Sequence, residues 1–533
     1  MNKYILSVAI FFIAFLNNIY GQGEMDAFKL SRNDQMGTAR GIAMGGALGA
    51  LGAEITGVAQ NPAGIGVYRS SEVVTTMDFM SNKIETNTEG YKANESKFKF
   101  AFDNVAYVGY MPLSGDVFKS FNFGLAYNRL KNFDRNYSMK GSVLPHSFTD
   151  YIANISNPII RNGEIIDSYP FDEFEFGNRY DDPYRIDGLP WLGILGYNAN
   201  IIKNIPGGYD DEYESAWDGT HEVDNGLQVS ERGHIESFDF TAGTNISNML
   251  YLGLTFSITD IYYNINANYS EDFFLANDKP SGYFDLDNWK ETTGSGYQVS
   301  VGAIFKPIDE LRLGIAYHSP TWYHMRDVRN CYLDVLLPDE SRRKGNAPEY
   351  DDVAPFDYRL QTPDRWVVSA AGILGAKAIV SVDYEYTNFS NMKLKNNYGY
   401  DFSDNEYIKE DFKGASTLKT GIEYRVTPQL SIRAGYCWSQ SPLEKTFKEG
   451  KREAVLALNS TMPHFTLEGN ASTFSCGLGY KFTPKFYMDL AFSARTQTDD
   501  LYTFSNIPDE IEAIPSKFKN NTCRGLLTFG YKF

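Results

Sequence analysis

Apolar and polar positions alternate with period two at the end of the chain. In CRGLLTFGYKF, Leu527, Phe529, Tyr531 and Phe533 fall on one face, and Thr528, Gly530 and Lys532 on the other. That spacing marks a strand with unlike faces. The segment, 523–533, has the roughly 9 to 11 residues that a tilted strand needs to cross a bilayer. The pattern recurs. Phe474, Cys476, Leu478, Tyr480 and Phe482 alternate with Ser475, Gly477, Gly479 and Lys481, and Leu430, Ile432, Ala434, Tyr436 and Trp438 alternate with Ser431, Arg433, Gly435 and Cys437. The second face is small or charged throughout. Periodicity alone leaves open whether the large face meets a soluble core or lipid.

The connections decide. Fourteen strands are predicted, beginning near Glu72, Phe98, Ser120, Gly233, Leu250, Gly294, Glu310, Phe356, Lys377, Ala415, Gln429, Ala471, Lys485 and Cys523. Long and short connections alternate between them: residues 306–310, 427–429 and 482–485 are short, while 135–232, 268–293, 325–355 and 441–470 are long. A soluble sandwich has no reason to sort its loops by side, whereas an outer-membrane barrel has short periplasmic turns and long extracellular loops. The expected fold is therefore all-β, a 14-stranded antiparallel transmembrane β-barrel over residues 71–533, its largest loop near 135–232. A Lys or Arg facing lipid at the midplane costs roughly 2 to 4 kcal/mol. Lys419, Arg425, Arg433 and Arg495 are accordingly assigned to the lumen, where Asp383, Glu385, Glu423 and Asp489 share the inward face. They can serve as ion pairs within the wall or as cations for a ligand carboxylate. A lumen of this size lies between the filled small barrels and the open channels of larger ones, so something must plug or line it.

Composition agrees. Aromatics make up 15% of the chain, with 37 Tyr, 37 Phe and 46 Gly, and the net charge of -18 argues against nucleic acid as a partner. The four cysteines are scattered and form no dense framework. The chain opens MNKYILSVAIFFIAFLNNIYGQG, with one early lysine and an apolar run too short to span a membrane. Residues 1–21 read as a secretory signal peptide cleaved after Gly21.

Between this leader and the first strand lies GIAMGGALGALGAEITGVAQNPAGIGVYRS, residues 41–70. Its Gly46, Gly49 and Gly52 are spaced three and three, not two and three, and no strand precedes them, so it is no dinucleotide loop. Small residues let a backbone pack closely inside a wall. In AQNPAGIG, Asn61 can form a side-chain turn, Pro62 fixes its own φ and disfavours helix at Asn61, and Gly64 can reverse the chain. Residues 22–70 are thus expected to form a plug inside the lumen, with Asn61, Pro62, Ala63 and Gly64 as its rigid turn.

The order ARGIAMGGA, a Gly/Ala stretch, QNPAG and then a first strand resembles the N-terminal hatch of the FadL family of outer-membrane transporters for hydrophobic compounds, also called OmpP1/FadL/TodX. LRLGIAYHSPTWYH at 311–324 and LQTPDRW at 360–366 look like that family's strand patterns. The resemblance implies a passive transporter for hydrophobic or amphipathic small molecules such as long-chain fatty acids. Ligand would be captured by extracellular loops, passed to a lumenal pocket and released by hatch movement. In the best-known members release is through a gap beside a kinked third strand, and Gly124 in SFNFGLAYNRL is the candidate for such a kink. LPWLGILGY at 189–197, in the long segment, suits either a greasy capture surface or a lid packed on itself. The implied partners are a fatty-acid-like molecule and outer-membrane lipids, with a monomeric barrel in the outer membrane of a Gram-negative bacterium.

No chemistry-bearing set stands out. The six histidines, His146, His221, His234, His318, His324 and His464, include no HExxH, and the acidic run at 209–226 lacks calcium-loop spacing. No catalytic residues, metal or cofactor are expected, and the chain is not read as an enzyme. Two alternatives remain: a hemin-binding receptor with His324 or a loop histidine as iron ligand, and a type IX secretion component of the same fold.

Overall fold

Strand after strand pairs antiparallel with its neighbour until the last returns to the first. The computed structural model describes residues 23–533 except 162–163, 187, 218–220, 276–277, 348–354, 376, 455–456 and 509. The segment expected to be a signal peptide, 1–21, lies outside the described residues.

An N-terminal segment comes first, with helices α1 (Glu24–Ser31), α2 (Ala39–Ala43) and α3 (Ile55–Gln60) and a 3₁₀ turn, Pro62–Val67. The barrel follows as β1 (Glu72–Thr88), β2 (Tyr91–Pro112) and β3 (Phe118–Asn132, resuming at Arg135–Gly141). Next come β4 (Glu222–Ile246), β5 (Leu250–Phe274), β6 (Pro280–Ile308), β7 (Leu311–His318, resuming at Trp322–Leu336) and β8 (Phe356–Gln361, resuming at Arg365–Leu374). The circuit ends with β9 (Ala378–Asn388), β10 (Gly414–Arg425), β11 (Leu430–Ser439), β12 (Ala471–Lys481), β13 (Phe486–Tyr502) and β14 (Ser516–Lys532). β14 pairs with β1 from Glu72↔Lys532 to Asn87↔Lys517, closing a 14-strand barrel. Closure leaves no edge to be satisfied in hydrocarbon.

The faces fall as cost dictates. Phe474, Leu254, Ile432 and Phe492 are exposed on the outer wall, while Ser475, Lys419 and Asp489 are buried inside. The periplasmic turns are tight. Between β4 and β5, Ser247 and Asn248 both have positive φ, 52° and 57°, the backbone of a two-residue hairpin that matches strand twist.

The extracellular side departs from expectation. The segment 268–293, expected as a long loop, is mostly strand: β5 and β6 pair from Leu250↔Phe305 out to Phe274↔Pro280. These strands continue past the membrane because their inward residues, Tyr269, Phe273, Phe284 and Leu286, pack into a buried core above the barrel. The irregular part of the largest segment is confined to 142–221. It carries α4 (Phe148–Ser156), α5 (Phe171–Phe174) and α6 (Trp191–Asn198). In α6, Trp191, Leu192, Ile194 and Leu195 are all buried, so LPWLGILGY is the inside of a lid and not an exposed capture surface. Two further helices, α7 (Asp404–Asp411) and α8 (Lys445–Lys448), complete this cap.

Candidate functional site

The N-terminal segment occupies the lumen from the cap downward. At the top, Phe28 of α1 packs between Phe389 and Phe412, with ring centroids 5.4 and 5.2 Å away. Lys29 Nζ lies 3.2 Å from Glu231 Oε1, and Lys290 Nζ 2.7 Å from Asp26 Oδ2. Lower down, Arg524 of β14 binds Asp78 and Asp103 of the wall and donates from Nη1 to the Gln35 carbonyl at 2.6 Å. Short helices then fold on local caps. The Thr38 hydroxyl accepts from Gly41 N–H at 3.0 Å, and the Glu54 carboxylate from Gly57 N–H at 2.9 Å, each supplying an acceptor for an orphan amide.

The turn singled out in the sequence sits at the centre of the plug. Asn61 is buried; its Oδ1 accepts from Ala63 N–H at 3.1 Å, and its Nδ2 donates to the Gly49 carbonyl at 2.8 Å and to Ala303 of β6 at 3.2 Å. One side chain thus ties the turn to itself, to the Gly/Ala loop and to the wall. Pro62 opens the 3₁₀ turn, where its missing N–H costs nothing. Gly64 N–H donates to Asn61 O at 2.9 Å, and the Gly64 carbonyl accepts from Ala53 N–H at 3.0 Å. Further along, Asn122 of β3 donates to Ile65 O at 2.7 Å and to Tyr68 O at 3.1 Å.

A feature the sequence reading missed explains the small inward face of the strands. A Cβ on Gly302 would lie 2.0 Å from Asn61 Oδ1, on Gly253 2.2 Å from Pro62, on Gly421 2.3 Å from Met44 O, and on Gly435 2.0 Å from Gly45 N. Glycines on four different strands let the plug's backbone touch the wall. The signal was present as inward-phase glycines at one height on successive strands.

The lumenal charges divide. Lys419 Nζ pairs with Glu385 at 2.9 Å; Arg433 pairs with Glu423 at 2.6 Å and Asp489 at 2.5 Å. Arg40 of α2 joins Glu423 at 2.9 Å, extending the wall network into the plug. Asp383 accepts the Gly49 N–H at 2.8 Å. Arg425 shares the inward phase but stands exposed at the periplasmic mouth, in a basin with Arg69, Lys481 and Lys532. Arg495 differs from the paired Lys419 and Arg433. Among the described residues it forms no ion pair; its contact is with Gln497 beside it. It faces a cavity of about 170 Å³ between α1 and the wall, lined also by Leu30, Tyr323, Phe389 and Cys437. Arg32 of the plug lies close enough for the two guanidiniums to repel, and is held by Glu468.

At Gly124 the β2–β3 ladder runs without a register shift from Asn104↔Asn128 to Pro112↔Ser120, and the missing side chain makes room for Ile65 of the plug. The irregularities lie to either side of it: a shift at Phe118/Ser120 below, and a shift at Arg129/Lys131 and the break between Asn132 and Arg135 above. Beyond Asn104 the ladder between β2 and β3 ends. There β3 turns inward, and Asn82 and Thr86 of β1 donate to the Asp134 and Ser138 carbonyls. His324, the candidate iron ligand, is exposed on the opposite face of β7 from buried Tyr323 and Met325. His318 is buried, within 2.8 Å of Ser300 and 2.9 Å of the Gln60 carbonyl.

A closed fourteen-stranded wall holding a helical plug fixed by an Asn-Pro turn invites comparison with known transporters. The model of the outer membrane protein transport protein family (OMPP1/FadL/TodX) matches residues 246–521. The chain belongs to this family. A 47 kDa outer membrane protein of Pasteurella multocida is 22% identical over 198 residues, 37% of this chain and 43% of that protein. Outer membrane protein P1 of Haemophilus influenzae is 23% identical over 221 residues, 41% of this chain and 42% of that protein. The matches therefore span about two fifths of these relatives. The crystal structure of a Pseudomonas aeruginosa FadL homologue shares the fold at 13% identity and a TM-score of 0.52, over 94% of this chain and 99% of that one. The toluene transporter TodX of P. putida does so at 12% identity and 0.50, with the same coverage. As a FadL-family barrel, the protein resides in the outer membrane of a Gram-negative cell.

Proposed function

We propose that this FadL-family protein passively carries an amphipathic small molecule, one acidic group on an apolar body, across the outer membrane. Arg495 carries the reading: a lumenal guanidinium without an ion pair among the described residues, facing a cavity that also offers Leu30 and Phe389. A carboxylate between Arg495 and Arg32 would relieve their repulsion, and a bidentate pair is the geometry guanidinium favours. Apolar burial would supply the rest, roughly 25 cal/mol per Å². TodX is by name a toluene transporter, which fits a hydrophobic cargo class.

Cavity size narrows the cargo. About 170 Å³ is close to the roughly 150 Å³ cavity that holds benzene. A ring-sized acid fits the plugged state; a long-chain fatty acid requires α1 to leave its place against Phe389 and Phe412. Release would follow movement of the plug, and the end of the β2–β3 ladder beyond Asn104 supports a sideways exit there. Mass spectrometry of compounds extracted from the purified barrel tests the reading. An organic acid should copurify with wild type and be depleted in Arg495→Ala. A barrel empty of such compounds in both, with uptake of fatty and aromatic acids unchanged on deletion, would refute it.

A further inference from the structure

Above the membrane, the outward face of the extended sheet carries a groove of about 770 Å³ unrelated to the lumen. Two cross-strand rows form its floor. In the first, Asn136, Ser230, Asn266, Trp289 and Asn330 sit directly opposite one another on β3 through β7. In the second, two residues further out, Gln228, Asn268, Asp287 and Tyr332 do the same, and Tyr332 pairs on with Asn346. One rim is the β1–β2 hairpin, whose Glu95 faces Ser138 at 3.4 Å.

The chemistry of this floor is selective. Among the described residues that line it none is Lys, Arg or His. Lys344 Nζ reaches the ring of Tyr332 at one end, 5.8 Å from its centroid, so the rest of the floor offers no cation to a phosphate, and its amides and carboxylates do not suit an acyl chain. Two aromatic rings lie among planar amides, some held in place: Ser230 Oγ donates to Asn136 Oδ1 at 3.1 Å and Asn268 Nδ2 to Asp287 Oδ1 at 2.8 Å. Apolar ring faces beside fixed donors and acceptors match a sugar, which presents C–H on its faces and hydroxyls around its edge. Strands lie about 4.8 Å apart, close to the length of one pyranose unit, so a chain laid across them can put one sugar on each strand.

Position indicates the source. On β5 the exposed apolar belt, Leu252, Leu254, Phe256 and Ile258, ends eight residues before Asn266 on the same face. At about 3.3 Å per residue and a tilt of about 40°, that places the groove roughly 20 Å above the hydrocarbon edge. The outer leaflet holds its glycolipid sugars at that height. We propose that this groove binds the neutral sugar chain of a neighbouring outer-leaflet glycolipid, anchoring the barrel laterally and independently of transport.

The test uses the full-length protein in nanodiscs and isothermal titration with two probes: the oligosaccharide released from the producing cell's glycolipid by mild acid, free of its lipid part, and dextran as a soluble neutral glucan. The released oligosaccharide should bind, dextran at least about tenfold more weakly, and Trp289→Ala and Asn268→Ala should each weaken oligosaccharide binding about tenfold. Both substitutions are at outward positions, and heat-modifiable migration on gels confirms folded barrels. Absence of binding, binding untouched by both substitutions, or dextran bound as tightly would each overturn the proposal.

Discussion

The ion network joining plug to wall gives the sharpest handle on gating. Glu423 receives both Arg40 from the plug, at 2.9 Å, and Arg433 from the wall, at 2.6 Å, and among the described residues only Arg433 of the two forms a second ion pair, with Asp489. Glu423→Gln keeps the shape and removes the charge. Breaking one side of a buried pair costs about 3 to 5 kcal/mol. Because Asp489 still neutralises Arg433 and Arg40 is partly exposed, the low end applies, about 3 kcal/mol. If that cost falls on the seated plug, its unseated population rises by about a hundredfold, at 1.36 kcal/mol per tenfold. Planar-bilayer recording should show frequent conductance steps where wild type is closed, and cells should become more sensitive to a small hydrophilic antibiotic. Arg40→Gln should reproduce the effect, and the double variant should add little to either single. A folded Glu423→Gln barrel that stays as closed as wild type would show that Arg40 does not hold the plug.

Other consequences follow from the same geometry. Gly435→Val forces a side chain against Gly45 N, at a cost of at least about 1 to 3 kcal/mol, and should expose the plug to trypsin; Gly525→Ala, with nothing within 4 Å, is the control that should leave cleavage unchanged. Burial pushes Asp404 of α7 up to about 7, and burial beside Glu510 does the same for Glu453. Both carboxyls therefore contribute stability that is complete below about pH 4 and is lost as pH rises through about 7. Hydrogen exchange at 404–411, corrected for intrinsic rates, should be faster at pH 8 than at pH 5, and an unchanged or opposite trend would refute the assignment.

Much of the wall was legible because a membrane makes strict demands. Each predicted strand start falls in or next to a barrel strand, since period-two alternation cannot slip by one residue without turning Lys419 or Arg433 into lipid. The ion pairs Lys419–Glu385 and Arg433–Glu423 followed from shared phase. Strand length did not, because β5 and β6 run on into the cap for the sake of Tyr269 and Phe284, a tertiary reason that no local pattern carries. Nor was the lid foreseeable from LPWLGILGY, whose apolar residues read alike as an exposed patch or a core. At the plug, the local turn around Asn61 could be read from the residues. Its wall partners, Gly302 and Ala303, depend on barrel register over more than 200 positions and could not.

Uptake of a labelled amphipathic acid by cells carrying the Asn61→Ala, Pro62→Ala double variant tests the central claim, that the plug governs passage through the lumen. The variant loses the bonds to Gly49, Ala303 and Ala63 together. It should assemble with normal heat-modifiable migration yet change uptake severalfold; normal assembly with wild-type uptake would contradict the account.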